Sequence, residues 1–287
     1  MPSTTSLVKV VGPRVLVLGS GGRLGRMLRK IWGQEAVSWA SRRAGPGLIS
    51  LDPLRDEHGM QQLAQSHDLV LCLAGVPAGR GMLDLNTELA LAAVRAAAQT
   101  RCRTVFLCSS AAVYGPTDAP VGEGAERRPA SRYGKEKARM EDACLTLGRS
   151  LGVRICNLRI GNIAGADAIL GGWRPGFQLD RFADGTTPLR SVIGPHDLAE
   201  GLMHLINRFD VMPRFLNLAL PTPCHMGDLL DRAGLPWLPR VAGPKAVAQA
   251  VLDVSALQRL VPLPAPEDSA GHVAADWKRF ITHREAA

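Results

Sequence analysis

No apolar run in this chain approaches the ~20 residues that a bilayer-spanning helix needs, so a transmembrane segment is not expected. The opening stretch "MPSTTSLVKVVGPRVLVLGS" has no basic region followed by an apolar core and a small-residue cleavage site, so it does not read as a secretory leader. Cysteine occurs six times but never as C-x-x-C. Cys72, Cys108 and Cys156 stand inside apolar runs, where the residue behaves as a small buried hydrophobe. Neither a disulfide framework nor a metal site is expected, because metal ligands come clustered. Reduced thiols fit the cytoplasm. Acidic residues number 26 against 34 Lys and Arg, a formal net charge of +8. The cations are spread along the chain with no nucleic-acid motif, so no nucleic-acid partner is expected and an anionic small molecule is the better use for the excess.

What the chain does have is alternation. Short apolar strands at 14–19, 36–41, 47–52, 68–75, 104–110 and 153–160 are separated by helical patterns near 22–33, 56–66, 82–100 and 131–150. Near-continuous apolar strands with helices between them predict an α/β, doubly wound parallel sheet covered on both faces, with ligands at the carboxyl ends of the strands. After residue 160, glycine, proline and tryptophan interrupt the pattern. The expected organisation is a tail over 1–13, a dinucleotide-binding domain over 14–160, and a smaller substrate-binding part over 161–287 that adds a late strand or two to the sheet. Trp173, Trp237 and Trp277 read as packing residues, and His196 as a local hydrogen-bonding group.

The first strand runs into "GSGGRLGRML", which spaces Gly19, Gly22 and Gly25 as G-x-x-G-x-x-G ahead of a helix. Glycine permits the tight turn and lets backbone N–H groups, here including those of Arg23 and Leu24, approach a pyrophosphate at the helix N-terminus. The second strand ends "SWASRRAG", offering Ser41, Arg42 and Arg43 where an NAD site usually has a carboxylate. Arginine suits a 2′-phosphate, so NADP(H) is favoured over NAD(H). The third strand end supplies Asp52, with Leu54 beside it, for the adenine end of the cofactor.

Tyrosine occurs only twice. One copy, Tyr133, lies four residues before Lys137 in "RYGKEKARMEDA", so the two share a helix face. An ammonium beside a phenol favours the phenolate, and such a tyrosine can exchange a proton with a secondary alcohol or ketone. The strand end "FLCSSAAVYG" presents Ser109 and Ser110 at the edge where ligands bind, as hydroxyls for a substrate oxygen.

Together, the glycine loop, "SSAAVYG" and Tyr133-x-x-x-Lys137 resemble the extended short-chain dehydrogenase/reductases, the NAD(P)-dependent epimerase/dehydratase family. The resemblance covers roughly residues 14–201 and implies a Rossmann-type sheet, Ser110 as the catalytic serine, Tyr133 as acid/base and Lys137 as its partner. By the same resemblance, Ala74 and Gly75 in "LAG" lie against the cofactor. Asn86 in "LNTELALAAVRAAA", Asn162 in "LRIGNIAG" and Arg190 in "DGTTPLRSVIG" fall at substrate-binding positions. Ala111 and Ala112 replace the acidic residues of dehydratases, which disfavours water elimination. An epimerase or reductase acting on a sugar or nucleotide-sugar-like molecule is implied, and both remain open, as does a non-catalytic NAD(P)-sensing protein. Family members often pair through a four-helix bundle, so a homodimer is a further expectation.

Overall fold

The computed structural model describes residues 12–33, 37–79 and 81–282. All but the last two residues of the expected tail, and the first residue of the second expected strand, lie outside them. The first 160 residues alternate as β1 (Val15–Leu18), α1 (Arg23–Trp32), β2 (Val37–Ser41), β3 (Ile49–Ser50), α2 (Glu57–Gln65), β4 (Leu69–Cys72), α3 (Leu85–Ala97), β5 (Thr104–Ser110), α4 (Arg132–Leu151) and β6 (Arg154–Ile160). Each expected strand and helix is present, trimmed by turns at its ends.

Beyond residue 160 the elements shorten. They are β7 (Asn162–Ile163), β8 (Gln178–Arg181), β9 (Leu189–Arg190), β10 (Val192–Ile193), α5 (Pro195–Ile206), β11 (Phe215–Leu218), β12 (Cys224–His225), α6 (Met226–Ala233), β13 (Leu238–Val241), β14 (Gln249–Ala250), α7 (Ser255–Gln258) and α8 (Ser269–Thr282). One of these strands, β11, joins the main sheet beside β6.

The main sheet has seven strands in the order β11-β6-β5-β4-β1-β2-β3, all paired in parallel. The chain winds outward one way from β1 and the other way from β4, so the strand order reverses between these two. A crevice opens at the carboxyl ends of strands at such a point. Alternate residues feed two cores. Val15, Val17, Leu69, Leu71, Phe106 and Leu158 face one side, packed with Leu198 and Leu202 of α5. Leu16, Leu18, Val70, Cys72, Val105 and Leu107 face the other, packed with Ala93 and Val94 of α3 and Met140 of α4. Both faces are buried, which is why these strands read as unbroken apolar runs.

Helix ends are fixed by specific groups. The Ser131 hydroxyl accepts from the Gly134 N–H (3.0 Å) to start α4, and Gly152 ends it in the left-handed region at φ 65°. α5 has no cap of its own. Asp276 of α8 supplies one, its carboxylate accepting from the N–H groups of His196 (2.9 Å) and Asp197 (3.3 Å) and pairing with the His196 ring and Arg279. His272 of α8 returns the contact by pairing with Asp197 (2.8 Å). The tryptophans pack as expected, Trp173 donating to the Pro236 carbonyl, Trp237 to Asp231, and Trp277 lying against Gly165.

Replacing the borrowed cap, Asp276→Ala, should lower the unfolding free energy by about 1–2 kcal/mol. Urea denaturation reads it, and an unchanged midpoint would show that α5 needs no cap from α8.

Candidate functional site

The glycine loop is dictated by close approach. Gly19 has φ +87°, and a Cβ there would stand 2.4 Å from the Ala74 nitrogen. A Cβ on Gly25 would stand 2.5 Å from the Ser20 Cα. The loop is therefore pressed between β4's end and the first turn of α1, and only glycine fits at either place. Gly22 is the N-cap of α1 in extended conformation, with no side-chain capping bond and no acid in the first turn. The leading N–H groups of the helix, at Arg23 and Leu24, are left for an anion. This cradle fits a dinucleotide pyrophosphate.

The adenosine side is formed by the ends of β2 and β3. Ser41 is buried with its hydroxyl against Gly21, while Arg42 and Arg43 are exposed. Among the described residues Arg23, Arg42 and Arg43 make no ion pair. Asp52 folds back to accept from the Leu54 N–H (3.0 Å), and the Leu54 side chain is exposed beside it.

Ser110, Tyr133 and Lys137 come together at the carboxyl end of β5. The Tyr133 phenol faces Ser110, close enough for the serine hydroxyl to act on its pKa, and the Ser110 oxygen accepts from the Ala112 N–H (3.2 Å). Lys137 is buried, donates to the Cys108 carbonyl (2.8 Å), and holds its Nζ 5.9 Å from the centre of the Tyr133 ring. Gly75 completes this wall, since a Cβ on it would approach both the Asn86 Oδ1 (2.6 Å) and the Lys137 Nζ (3.6 Å). Burial pushes the Tyr133 phenol well above its ordinary value, with Cys108 adding to the rise and Ser110 and the Arg23 charge opposing it. The sequence suggested a phenol held below its ordinary value by Lys137; burial instead shifts it the other way.

Two expected substrate residues are committed elsewhere. Ser109 is buried and donates to Glu141 (2.6 Å), because neighbours on a strand face opposite sides and Ser110 takes the ligand side. Asn86 is fully buried, and its amide is used by the protein. Its oxygen accepts from the Val76 N–H (3.1 Å), while its nitrogen donates to the carbonyls of Val76 (3.1 Å) and Leu83 (2.8 Å). It clamps the Gly75 segment and has no donor left for a substrate.

Asn162 lies on β7, which pairs with β10, and Arg190 on β9 just ahead of β10, the Asn162 N–H donating to the carbonyl of Ser191 between the two (2.9 Å). The Asn162 amide lies 3.5 Å from Asp167, whose carboxyl is pushed up by burial. The Arg190 guanidinium donates to the carbonyls of Leu189 (2.7 Å), Ala248 (3.2 Å) and Val247 (2.6 Å) and pairs with no carboxylate among the described residues. Burial lowers its pKa, with Asp180 partly opposing, so an anion brought there would meet a partly dehydrated cation.

Sequence reasoning missed Glu141. It accepts from Ser109 and from Arg159 of β6 through two bonds (3.0 and 2.7 Å), with Arg127 at 3.2 Å. The available signal was spacing: Tyr133, Lys137 and Glu141 recur every four residues along one face of α4.

A parallel sheet with a glycine-lined crevice and a serine–tyrosine–lysine cluster at its carboxyl edge defines a dinucleotide-binding enzyme of the short-chain dehydrogenase/reductase type. Residues 15–214 match the NAD dependent epimerase/dehydratase family, and the chain belongs to it. No curated protein matches by sequence. Among solved structures, UDP-glucose-4-epimerase from Stenotrophomonas maltophila, with bound NAD and formylated UDP-arabinopyranose, is similar with TM-score 0.75 and 21 % identity, covering 96 % of this chain and 100 % of that one. UDP-glucose 4-epimerase from Brucella ovis in complex with NAD gives 0.76 at 19 % identity over 93 % and 98 %. UDP-N-acetylglucosamine 4-epimerase from Methanobrevibacter ruminantium, in complex with UDP-N-acetylmuramic acid, gives 0.72 at 18 % over 95 % and 99 %. At these identities the likeness establishes the fold. None of the helices in the described residues is long and apolar enough to cross a membrane.

Two outcomes follow from the geometry. Gly25→Ala forces a methyl into the Ser20 backbone, and calorimetry should find cofactor affinity reduced at least about tenfold, a loss of ~1.4 kcal/mol; wild-type affinity would show that the cradle lies elsewhere. Burial also raises the other tyrosine, Tyr114, against the opposing Arg159 bond. Both phenols therefore bind their protons more tightly folded than unfolded, and stability falls as pH rises past the ordinary value of about 10. At that pH the native protein should show clearly less tyrosinate absorbance than its denatured form, where roughly half of the phenols ionise; equal absorbance would show that neither phenol is raised.

Proposed function

We propose that this protein transfers hydride at a secondary alcohol or ketone carbon of a sugar or nucleotide-sugar-like substrate, using NADP(H) in preference to NAD(H). The observation that carries the reading is Tyr133 facing Ser110 with buried Lys137 held 5.9 Å from its ring, at the edge that also bears the glycine cradle. A non-catalytic sensor would need the cradle and have no use for the cluster.

The backbone N–H groups at Arg23 and Leu24 would hold the pyrophosphate, with Gly22 letting it approach, its own N–H donated to the Gly19 carbonyl (2.9 Å); Arg42 and Arg43 would hold the 2′-phosphate, Asp52 and Leu54 would border the adenine, and Ala74 and Gly75 would lie along the wall. A bound nicotinamide supplies a hydride acceptor or donor. Ser110 and Tyr133 both address the substrate oxygen. Tyr133, protonated and held more firmly so by its burial, gives its proton to a carbonyl oxygen in the reducing direction, and must lose it before acting as base on an alcohol. Lys137, tied to the Cys108 carbonyl, stands where it can hold a ribose hydroxyl and support the phenolate. Ala111 and Ala112 bring no acid to this edge, consistent with a reductase or epimerase and not a dehydratase. Arg190, with Asn162 nearby, is the candidate anchor for an anionic group of the substrate.

The six free thiols fit a cytoplasmic protein. A second copy is the expected partner for the groove between α3 and α4, lined by Leu91, Ala138, Leu147, Arg95 and Lys135.

Calorimetry with NADPH and NADH, on wild type and on an Arg42→Ala/Arg43→Ala double variant, tests the cofactor assignment. An NADPH preference of at least about tenfold, or ~1.4 kcal/mol, should vanish in the variant. A wild-type preference for NADH would replace NADP(H) by NAD(H) and favour an epimerase. Tyr133→Phe should leave cofactor affinity within about twofold and lower turnover by about 10²–10⁴; retained turnover would remove the tyrosine from the chemistry.

A further inference from the structure

Tyr133, Lys137 and Glu141 stand on three successive turns of one face of α4, and each meets one of three successive residues of β5. Lys137 donates to the Cys108 carbonyl (2.8 Å), Glu141 accepts from the Ser109 hydroxyl (2.6 Å), and Tyr133 faces Ser110. In helix order Tyr133, Lys137 and Glu141 meet Ser110, Cys108 and Ser109, so three turns of the helix are tied to one three-residue stretch of the strand. Only the first and last of these contacts lie at the substrate edge. The middle one is buried on the opposite face, with Ser109 and Glu141 both shielded from solvent.

We infer that Ser109 and Glu141 are positioning residues for the proposed reaction, fixing the register at which Ser110 meets Tyr133. This inference rests on the hydride-transfer reading for its use and on the geometry alone for its existence. Ser110 is held from both sides by the same ion pair. Before it, Ser109 is bonded to Glu141; after it, the Tyr114 hydroxyl accepts from Arg159 (2.8 Å) and donates to Asn217 of β11 (2.8 Å). Arg159 closes the ring by gripping Glu141 through its Nε (3.0 Å) and a terminal nitrogen (2.7 Å). Tyr114 lies beyond a short 3-10 turn over Ala111–Val113, so Ser110 has little freedom to slide along the helix. A backbone shift of even ~1 Å between catalytic groups is costly for chemistry.

The chain's two tyrosines make the register directly observable. With tyrosine labelled at 13Cζ, the cofactor-free protein gives two resonances, assigned by Tyr133→Phe. Ser109→Ala should move the Tyr133 resonance to where Ser110→Ala places it, leaving Tyr114 in place. Glu141→Gln keeps an acceptor for Ser109 but removes the charge opposite Arg159. It should move the Tyr133 resonance less than Ser109→Ala does while costing more in thermal midpoint. A Tyr133 resonance unchanged in folded Ser109→Ala overturns the inference. So does a displacement that follows the loss of thermal midpoint across both variants, as a purely structural role requires. Should Ser109→Ala not fold, Ser109→Cys, which keeps the volume with a far weaker donor, decides in its place. All of this is read without cofactor, so failure here is distinct from failure to bind NADPH or NADH.

Discussion

The Arg159–Glu141 ion pair is buried to 2 % and 0 % side-chain exposure, and much of the site is built around it. Removing two charges from water is costly, and the cost is met only when nearly every donor and acceptor finds a partner. Here they do. The guanidinium reaches Glu141 twice, the Tyr114 hydroxyl and the Glu123 carbonyl (3.0 Å), while the carboxylate also receives Ser109 and Arg127. Burial works against the Arg159 charge, and the bonds to Glu141 and Tyr114 outweigh it, so the group lies above its ordinary pKa. Stranding either partner would leave an uncompensated buried charge, worth about 3–5 kcal/mol. What the pair secures in return is relative placement. β5, β6, α4 and the segment after Ser110 all meet at it, and Asn217 extends the same network through the carbonyls of Val121 and Asp253 (both 2.9 Å).

The two halves of the site use different physics. On the cofactor side, glycines remove side chains so that backbones can touch, and the loop is rigid because Gly19 and Gly25 are packed against Ala74 and Ser20. On the catalytic side, polar side chains set positions by bonding one another. The halves join at Gly75, where absence of a side chain leaves room for the Lys137 ammonium above and the Asn86 clamp below. Backbone contact fixes where a dinucleotide can lie, and side-chain contact fixes where its partner hydroxyls stand.

Legibility in the sequence followed the distance over which each feature is determined. The strands and helices up to residue 160 were legible because burial on both faces leaves continuous apolar runs between caps. Gly19, Gly22 and Gly25 were legible because a strand, a turn and a helix N-terminus are adjacent in the chain, and Tyr133 with Lys137 because four residues is one helical turn. Ser109 was misassigned, although the period of two along β5 already separates it from Ser110. Asn86 was misassigned because a helix-start asparagine beside the site has two uses, and its partners Val76 and Leu83 are settled only when the loop before α3 folds back. Arg159, within "LRIGNIAG", drew no reading, since its partner lies 18 residues upstream on a helix. The pairing of β11 with β6 sets Phe215 opposite Asn157 across all of 158–214, and no local pattern specifies it.

That last pairing has a consequence for synthesis. A ribosome delivers β1 to β6 well before β11, so the growing chain carries β6 as an outer strand with its N–H and C=O groups unpaired. Tyr114 at that moment lacks Asn217, and the polar ring around Arg159 is one member short. Only when Phe215–Leu218 docks are the open edge and the open network closed together. The strand that completes the sheet is also the one that completes the setting of Ser110, so a nascent chain acquires a protected edge and a finished site in the same event.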